Sequence, residues 1–150
     1  INMFKLLKAH AHCDIPCGIY DPYQAQIDAH TVVRMVDLIS GLTKEDPERK
    51  VKFSRYVATK EAHAENAKHE VRIIWGDFMK PETTTPEVNA LVWKIMKLGG
   101  AAKQQSTKES AVAFRDAVLE FSEAFWKMKG KSPRRVAAPF PSGGEIVLPE

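Results

Sequence analysis

The sequence predicts an all-α protein, an antiparallel four-helix bundle with an N-terminal hook ahead of its first helix. Three observations carry this. Four segments place apolar residues at helical spacing, each segment opens on a helix-start signal, and no segment alternates like a strand. Four amphipathic segments joined by short polar loops are most simply packed with their apolar stripes against one another.

The first helix runs from Pro22 to about Leu42. Asp21 can cap it, Pro22 suits its first turn, Gln24 completes a capping-box pattern, and Ile27, Met35, Leu38 and Leu42 recur at helical spacing before Gly41 marks the end. The second opens on Asp46-Pro47 and carries Phe53, Val57, Ala64, Val71, Ile74 and Phe78 until Pro81 stops it. At about 1.5 Å per residue it would span roughly 50 Å, with Gly76 the place for a bend. Pro86 opens the third, whose stripe is Val88, Leu91, Val92, Ile95 and Leu98 and whose expected terminator is Gly99-Gly100. The fourth begins near Ser106, with Glu109 as its capping-box partner. Phe114, Val118, Phe121, Phe125 and Met128 form a stripe that reads as core. After Gly130, prolines and glycines interrupt any periodicity, and residues 131–150 read as a flexible tail.

Composition narrows the function. A chain of 150 residues can bury a core without disulfides, and two cysteines are too few for a secreted disulfide scaffold, which leaves the thiols free for chemistry. The net charge of +3 comes from 22 basic and 19 acidic residues that are interspersed, so no basic stripe marks a nucleic-acid partner. No apolar run approaches the roughly 18 residues of a membrane span, and the chain reads as soluble and cytoplasmic. Residues 1–11, INMFKLLKAHA, are too short and too charged for a secretory signal but suit a removable leader of another kind.

The chemistry concentrates in residues 10–22, HAHCDIPCGIYDP. Cys13 and Cys17 flank Asp-Ile-Pro on a turn, where Pro16 fixes one backbone angle and Gly18 permits a tight exit, so both sulfurs can face one point. Two thiolates favour soft or borderline metals, and the imidazole of His12 adds a nitrogen donor. One outcome is a non-redox zinc site of His10, His12, Cys13 and Cys17, although the spacing is no standard zinc pattern. Another is a Cys13–Cys17 disulfide loop in an interaction protein, against which an intracellular setting argues.

His12 to Pro22, H-C-D-I-P-C-G-I-Y-D-P, resembles the nickel hook of nickel superoxide dismutases, H-C-D-x-P-C-G-x-Y-D-P. The resemblance continues at Lys68 to Pro81, K-H-E-V-x-I-x-W-x-D-x-x-K-P, and at Phe125-Trp126, and covers about His12 to Lys129. It implies a four-helix bundle with one nickel per subunit, usually a homohexamer, that disproportionates superoxide to oxygen and hydrogen peroxide by Ni(II)/Ni(III) cycling. It also implies a mature chain that begins at His12, so residues 1–11 would be removed by a leader-cleaving protease and residues 12–130 would form the working domain. The implied metal ligands are the amine and imidazole of His12, the amide nitrogen of Cys13, and the thiolates of Cys13 and Cys17. Asp14 and Tyr20 match positions that shape the hook and substrate access.

Three positions depart from the family. Asp28 stands where a glutamate commonly orients the axial histidine, His63 stands where arginine is frequent, and Phe78 replaces a tyrosine. His63 and His69 lie about 240° apart around a helix and cannot share a metal within one chain, and His30 has no ligand-type partner one turn away. All three histidines otherwise read as polar or interface residues, and Lys80 as a solvated lysine before a helix-ending proline.

Overall fold

A computed structural model describes residues 18–150. It contains four helices, α1 (Tyr23–Ser40), α2 (Arg49–Ile73), α3 (Pro86–Gln104) and α4 (Lys108–Met128), followed by two short strands, β1 (Arg134–Ala137) and β2 (Glu145–Leu148). Helices α1 and α3 each pack against α2 and α4, which gives the four-helix bundle expected.

The aromatic stripe of α4 is the centre of the core: Phe114, Val118, Phe121 and Phe125 are fully buried. They meet Val92 and Ile95 of α3 and Ala64, Ala67 and Val71 of α2. On α1 the buried stripe differs from the expected one. It consists of Ala25, Ala29, Val32, Val33 and Val36, because small and β-branched residues let α1 lie close to its neighbours, while Ile27, Met35 and Leu38 are only half-buried. Phe53, expected in the core of α2, is exposed near that helix's start.

The helix ends also refine the reading. The N-cap of α1 is Pro22 and not Asp21, whose Oδ1 accepts the Tyr23 amide at 2.7 Å from one residue earlier, and Gln24 turns to Asp28. Thr85 caps α3 ahead of Pro86, and Thr107, not Ser106, caps α4 by accepting the Ser110 amide. The bend expected at Gly76 is a π turn over Ile74–Phe78 that finishes α2. Gly99 and Gly100 do not end α3, which continues to Gln104. Gly99 is instead a point of close approach: a Cβ there would stand 2.7 Å from Lys68 Cδ and 2.9 Å from Phe114 Cε2.

What ends α3 is a lysine. Lys60 of α2 is buried, and its ammonium donates to the carbonyls of Ala102, Lys103 and Gln105 at 2.6, 2.8 and 2.7 Å. Three donors meet carbonyls that a helix C-terminus leaves without partners. Burial pulls the lysine pKa down.

The expectation of a flexible tail after Gly130 is corrected, as is the absence of strands. Gly130, at φ 72°, turns the chain out of α4, and β1 and β2 pair antiparallel with Arg135 opposite Val147. Gly143 and Gly144, at φ 64° and 82°, supply the left-handed residues of the connecting turn. The prolines and glycines that read as disorder are the punctuation of a hairpin, and its anchor is tertiary. Ile146 and Val147 are buried, and Arg135 grips Glu123 of α4 through Nε and Nη2 at 2.7 and 3.3 Å.

Candidate metal centre

His12, Cys13, Asp14 and Cys17 lie outside the described residues, so the structure is informative about what surrounds their attachment to the bundle. That attachment begins at Gly18, whose φ of 82° suits the tight exit expected of it. Tyr20 follows and is buried against Phe78 at 5.4 Å between ring centroids. The stack continues from Phe78 to Phe125 at 5.1 Å and from Phe125 to Trp126 at 5.0 Å. Lys129 Nζ lies 5.3 Å from the centre of the Phe78 ring and 5.4 Å from that of Phe125, within the range of cation–π attraction. The phenol of Tyr20 is thus seated on the aromatic end of the core, with the Lys129 ammonium over the next ring, Phe78.

Asp28 and His63, treated separately in the sequence, form one unit. Asp28 is 1% exposed, an unusual place for a carboxylate unless it is paired. Its Oδ1 lies 2.5 Å from Nδ1 of His63, and its Oδ2 accepts Gln24 Nε2 at 3.2 Å. Helix geometry explains the second contact, since Gln24 and Asp28 are four residues apart on α1. The first crosses from α1 to α2, and single-sequence spacing carries no signal for it. His63 therefore differs from an ordinary surface histidine, whereas His69 is exposed, as is Lys80.

His30, the third histidine, faces the hairpin. Its Nε2 lies 2.8 Å from the Glu145 carbonyl, which only a protonated nitrogen satisfies, so Nε2–H donates there. Nδ1 then accepts from the Ser142 hydroxyl at 2.8 Å. Burial lowers its pKa and favours this neutral form.

Among the described residues no group of three or more His, Cys, Asp and Glu side chains converges to hold a metal ion. The sequence from His10 to Cys17 offers two thiols, two imidazoles and backbone nitrogens as donors. Sulfur and strongly donating nitrogen are the ligand types that stabilise the higher oxidation state of a late transition metal. The residues present fit nickel.

The sequence matches the model of the nickel-containing superoxide dismutases over residues 7–129. This chain belongs to that family. It is 36% identical over 121 residues to the superoxide dismutase [Ni] of Streptomyces coelicolor, covering 79% of this chain and 88% of that one. To the enzyme of the same name from Streptomyces seoulensis it is 33% identical over 125 residues, covering 82% and 92%. Its fold is similar to the native nickel superoxide dismutase structure with a TM-score of 0.69 and 35% identity, over 79% of this chain and 99% of that one. A structure with nickel ligation of the oxidised state gives a TM-score of 0.70 at 32% identity, with the same coverage.

As a member of the nickel superoxide dismutase family, the chain is an oxidoreductase that uses nickel to disproportionate superoxide. The zinc reading of the same cysteines is not favoured. The family match ends at residue 129, so the β1–β2 hairpin lies beyond the part of the chain that it describes.

Proposed function

We propose that superoxide is consumed at a nickel that the hook would hold through the His12 amine and imidazole, the Cys13 amide nitrogen and the Cys13 and Cys17 thiolates. The observation that supports this most is the hook motif itself, which falls inside the span matched to the family. Nickel bound by such donors would supply the one-electron chemistry, accepting an electron from one superoxide and returning it to the next.

The chain's own residues do the rest. Asp14 shapes the hook. Tyr20, fixed by its stack on Phe78, presents a phenol that can hold an incoming anion or water by a hydrogen bond without ligating metal. The Asp28 carboxylate has roughly four lone-pair sites, of which His63 and Gln24 engage two. One of the others would be open to the imidazole N–H of His12 and would set its tautomer, as a carboxylate commonly does for a ligating histidine. His63 crosses to the carboxylate from α2 and restrains the shorter aspartate in place of a longer glutamate.

Residues 1–11 must then leave, because the nitrogen of His12 is an amide while Ala11 is attached. A leader-cleaving protease would free it. The enzyme is a homohexamer in the cytoplasm under this reading. Trp93 and Val51, 65% and 63% exposed, support an assembly that covers apolar surface, and two free thiols suit a reducing compartment.

The test compares superoxide decay by a nickel-loaded chain beginning at His12 with the 150-residue chain treated identically. Activity confined to the trimmed chain is expected. Equal activity in the untrimmed chain, with residue 1 still present, would refute the amine ligand.

A further inference from the structure

The hook joins the bundle through its last residues, Gly18 to Pro22, and the helix they enter has a weakly secured start. The Asp21 contact to Tyr23 is local, and no side chain caps α1 from its N-cap residue Pro22. A first helical turn so placed frays unless something holds it. Here something does.

Gln26 sits one turn into α1, its amide N–H bonded to the Pro22 carbonyl at 3.2 Å. Its side chain is fully buried and pairs with the backbone of Val147 on β2 as another strand would. Nε2–H donates to the Val147 carbonyl at 3.0 Å, and Oε1 accepts the Val147 N–H at 2.7 Å. One turn further on, His30 fixes Ser142 and the Glu145 carbonyl. Beside these contacts, Val147, Leu148 and Pro149 line a cleft of about 220 Å³ with Asp21, Tyr23 and Trp126. The hairpin is itself braced on α4 by Arg135 and Glu123.

We propose that the β1–β2 hairpin is a clamp on the root of the hook: by pinning the first turn of α1 through Gln26 and His30, it holds the hook's attachment in one position and slows loss of nickel. This rests on the hook-held nickel proposed above. The clamp acts through α1, and Gln26 is a positioning residue that touches neither metal nor substrate. The hairpin lies outside the span of the chain matched to the family.

The experiment uses nickel-loaded enzyme retaining residue 150. It measures amide hydrogen exchange of Tyr23–Ile27 and of the hairpin, together with nickel release into excess EDTA followed at the nickel–thiolate absorption band. In Gln26→Ala the two buried groups of Val147 lose their partners, and both exchange at these amides and nickel release should rise by about tenfold. Arg135→Ala, which loosens the hairpin from α4 without touching α1, should move both in the same direction by a smaller factor and carries the test if Gln26→Ala does not fold. Lys60→Met destabilises the bundle where α2 meets the end of α3, without touching α1 or the hairpin, and should leave nickel release at the wild-type rate, which a general loss of stability would not. Faster hairpin exchange with wild-type nickel release in Gln26→Ala or Arg135→Ala overturns the clamp while leaving the nickel site standing, as does unchanged exchange. A wild-type chain that takes up no nickel overturns both.

Discussion

Replacing Asp28 by asparagine keeps the shape of the side chain and removes its charge, at a carboxylate that meets a donor on each oxygen. An amide has one acceptor oxygen, so either His63 or Gln24 is left facing an NH₂ group. The surviving bond falls from charge-assisted to neutral, a loss of about 1 kcal/mol, and the displaced donor adds about 1 kcal/mol more. His63 is one-third exposed at its side chain, and water restores part of that, so the folded state loses about 1–2 kcal/mol. For a domain of this length the unfolding midpoint falls by roughly 3–6 °C, which leaves the protein folded under assay conditions. The effect on function is larger: loss of the group that orients a ligating histidine lowers activity or metal affinity by about 10–100-fold. The assay is superoxide decay at matched nickel occupancy, well below the midpoint. Asp28→Glu keeps the carboxylate and is expected to retain most of the rate. If Asp28→Asn at equal loading decays superoxide within about twofold of wild type, the carboxylate plays no part in orienting His12 and the reasoning fails.

Other expectations concern the frame around the site. Lys60→Met removes the donor to three carbonyls that end α3, and urea titration should show about 2 kcal/mol of lost stability. Gly99→Ala and Gly100→Ala should move stability in opposite directions. At Gly99 the new methyl meets Phe114 in the core and costs about 1–3 kcal/mol, whereas at Gly100 nothing lies within 4 Å and the gain in helix propensity is about 0.5–1 kcal/mol. Glu65 is held by Arg72 first, then Lys68 and Lys103, which lowers its pKa from 4.5 to about 2. Its folded pKa lies below its unfolded one, so its contribution is present above pH 4.5 and is lost as pH falls toward about 2. At 41% exposure, screening holds the effect to about 1 kcal/mol or less, and Glu65→Gln should flatten the urea midpoint across that window.

The helices and the α4 core were legible because periodicity and caps are local signals, and the family was legible because the hook motif is packed into consecutive residues. What escaped depends on long-range contact. Glycines at 99 and 100 look like a terminator until Lys68 and Phe114 are seen against one of them. Lys60 resembles any helix lysine until its three carbonyls arrive from α3. The pairing of Asp28 with His63 required α1 and α2 to be side by side. The hairpin was missed for the same reason, since four-residue strands rich in arginine, proline and glycine acquire their order from Gln26, His30 and Glu123.

Gln26 and Val147 are separated by 121 positions, and this sets an order of assembly. Closing a loop of that length costs about 4 kcal/mol of chain entropy before the contact returns anything, whereas α1 and α2 meet across a short connection. Local helix pairing is therefore fast and hairpin docking is a late, slower step. Gln26 therefore secures the start of α1 only after the last residues of the chain have docked. Under the clamp proposed above, docking of the hairpin would be the step after which a bound metal ion is retained.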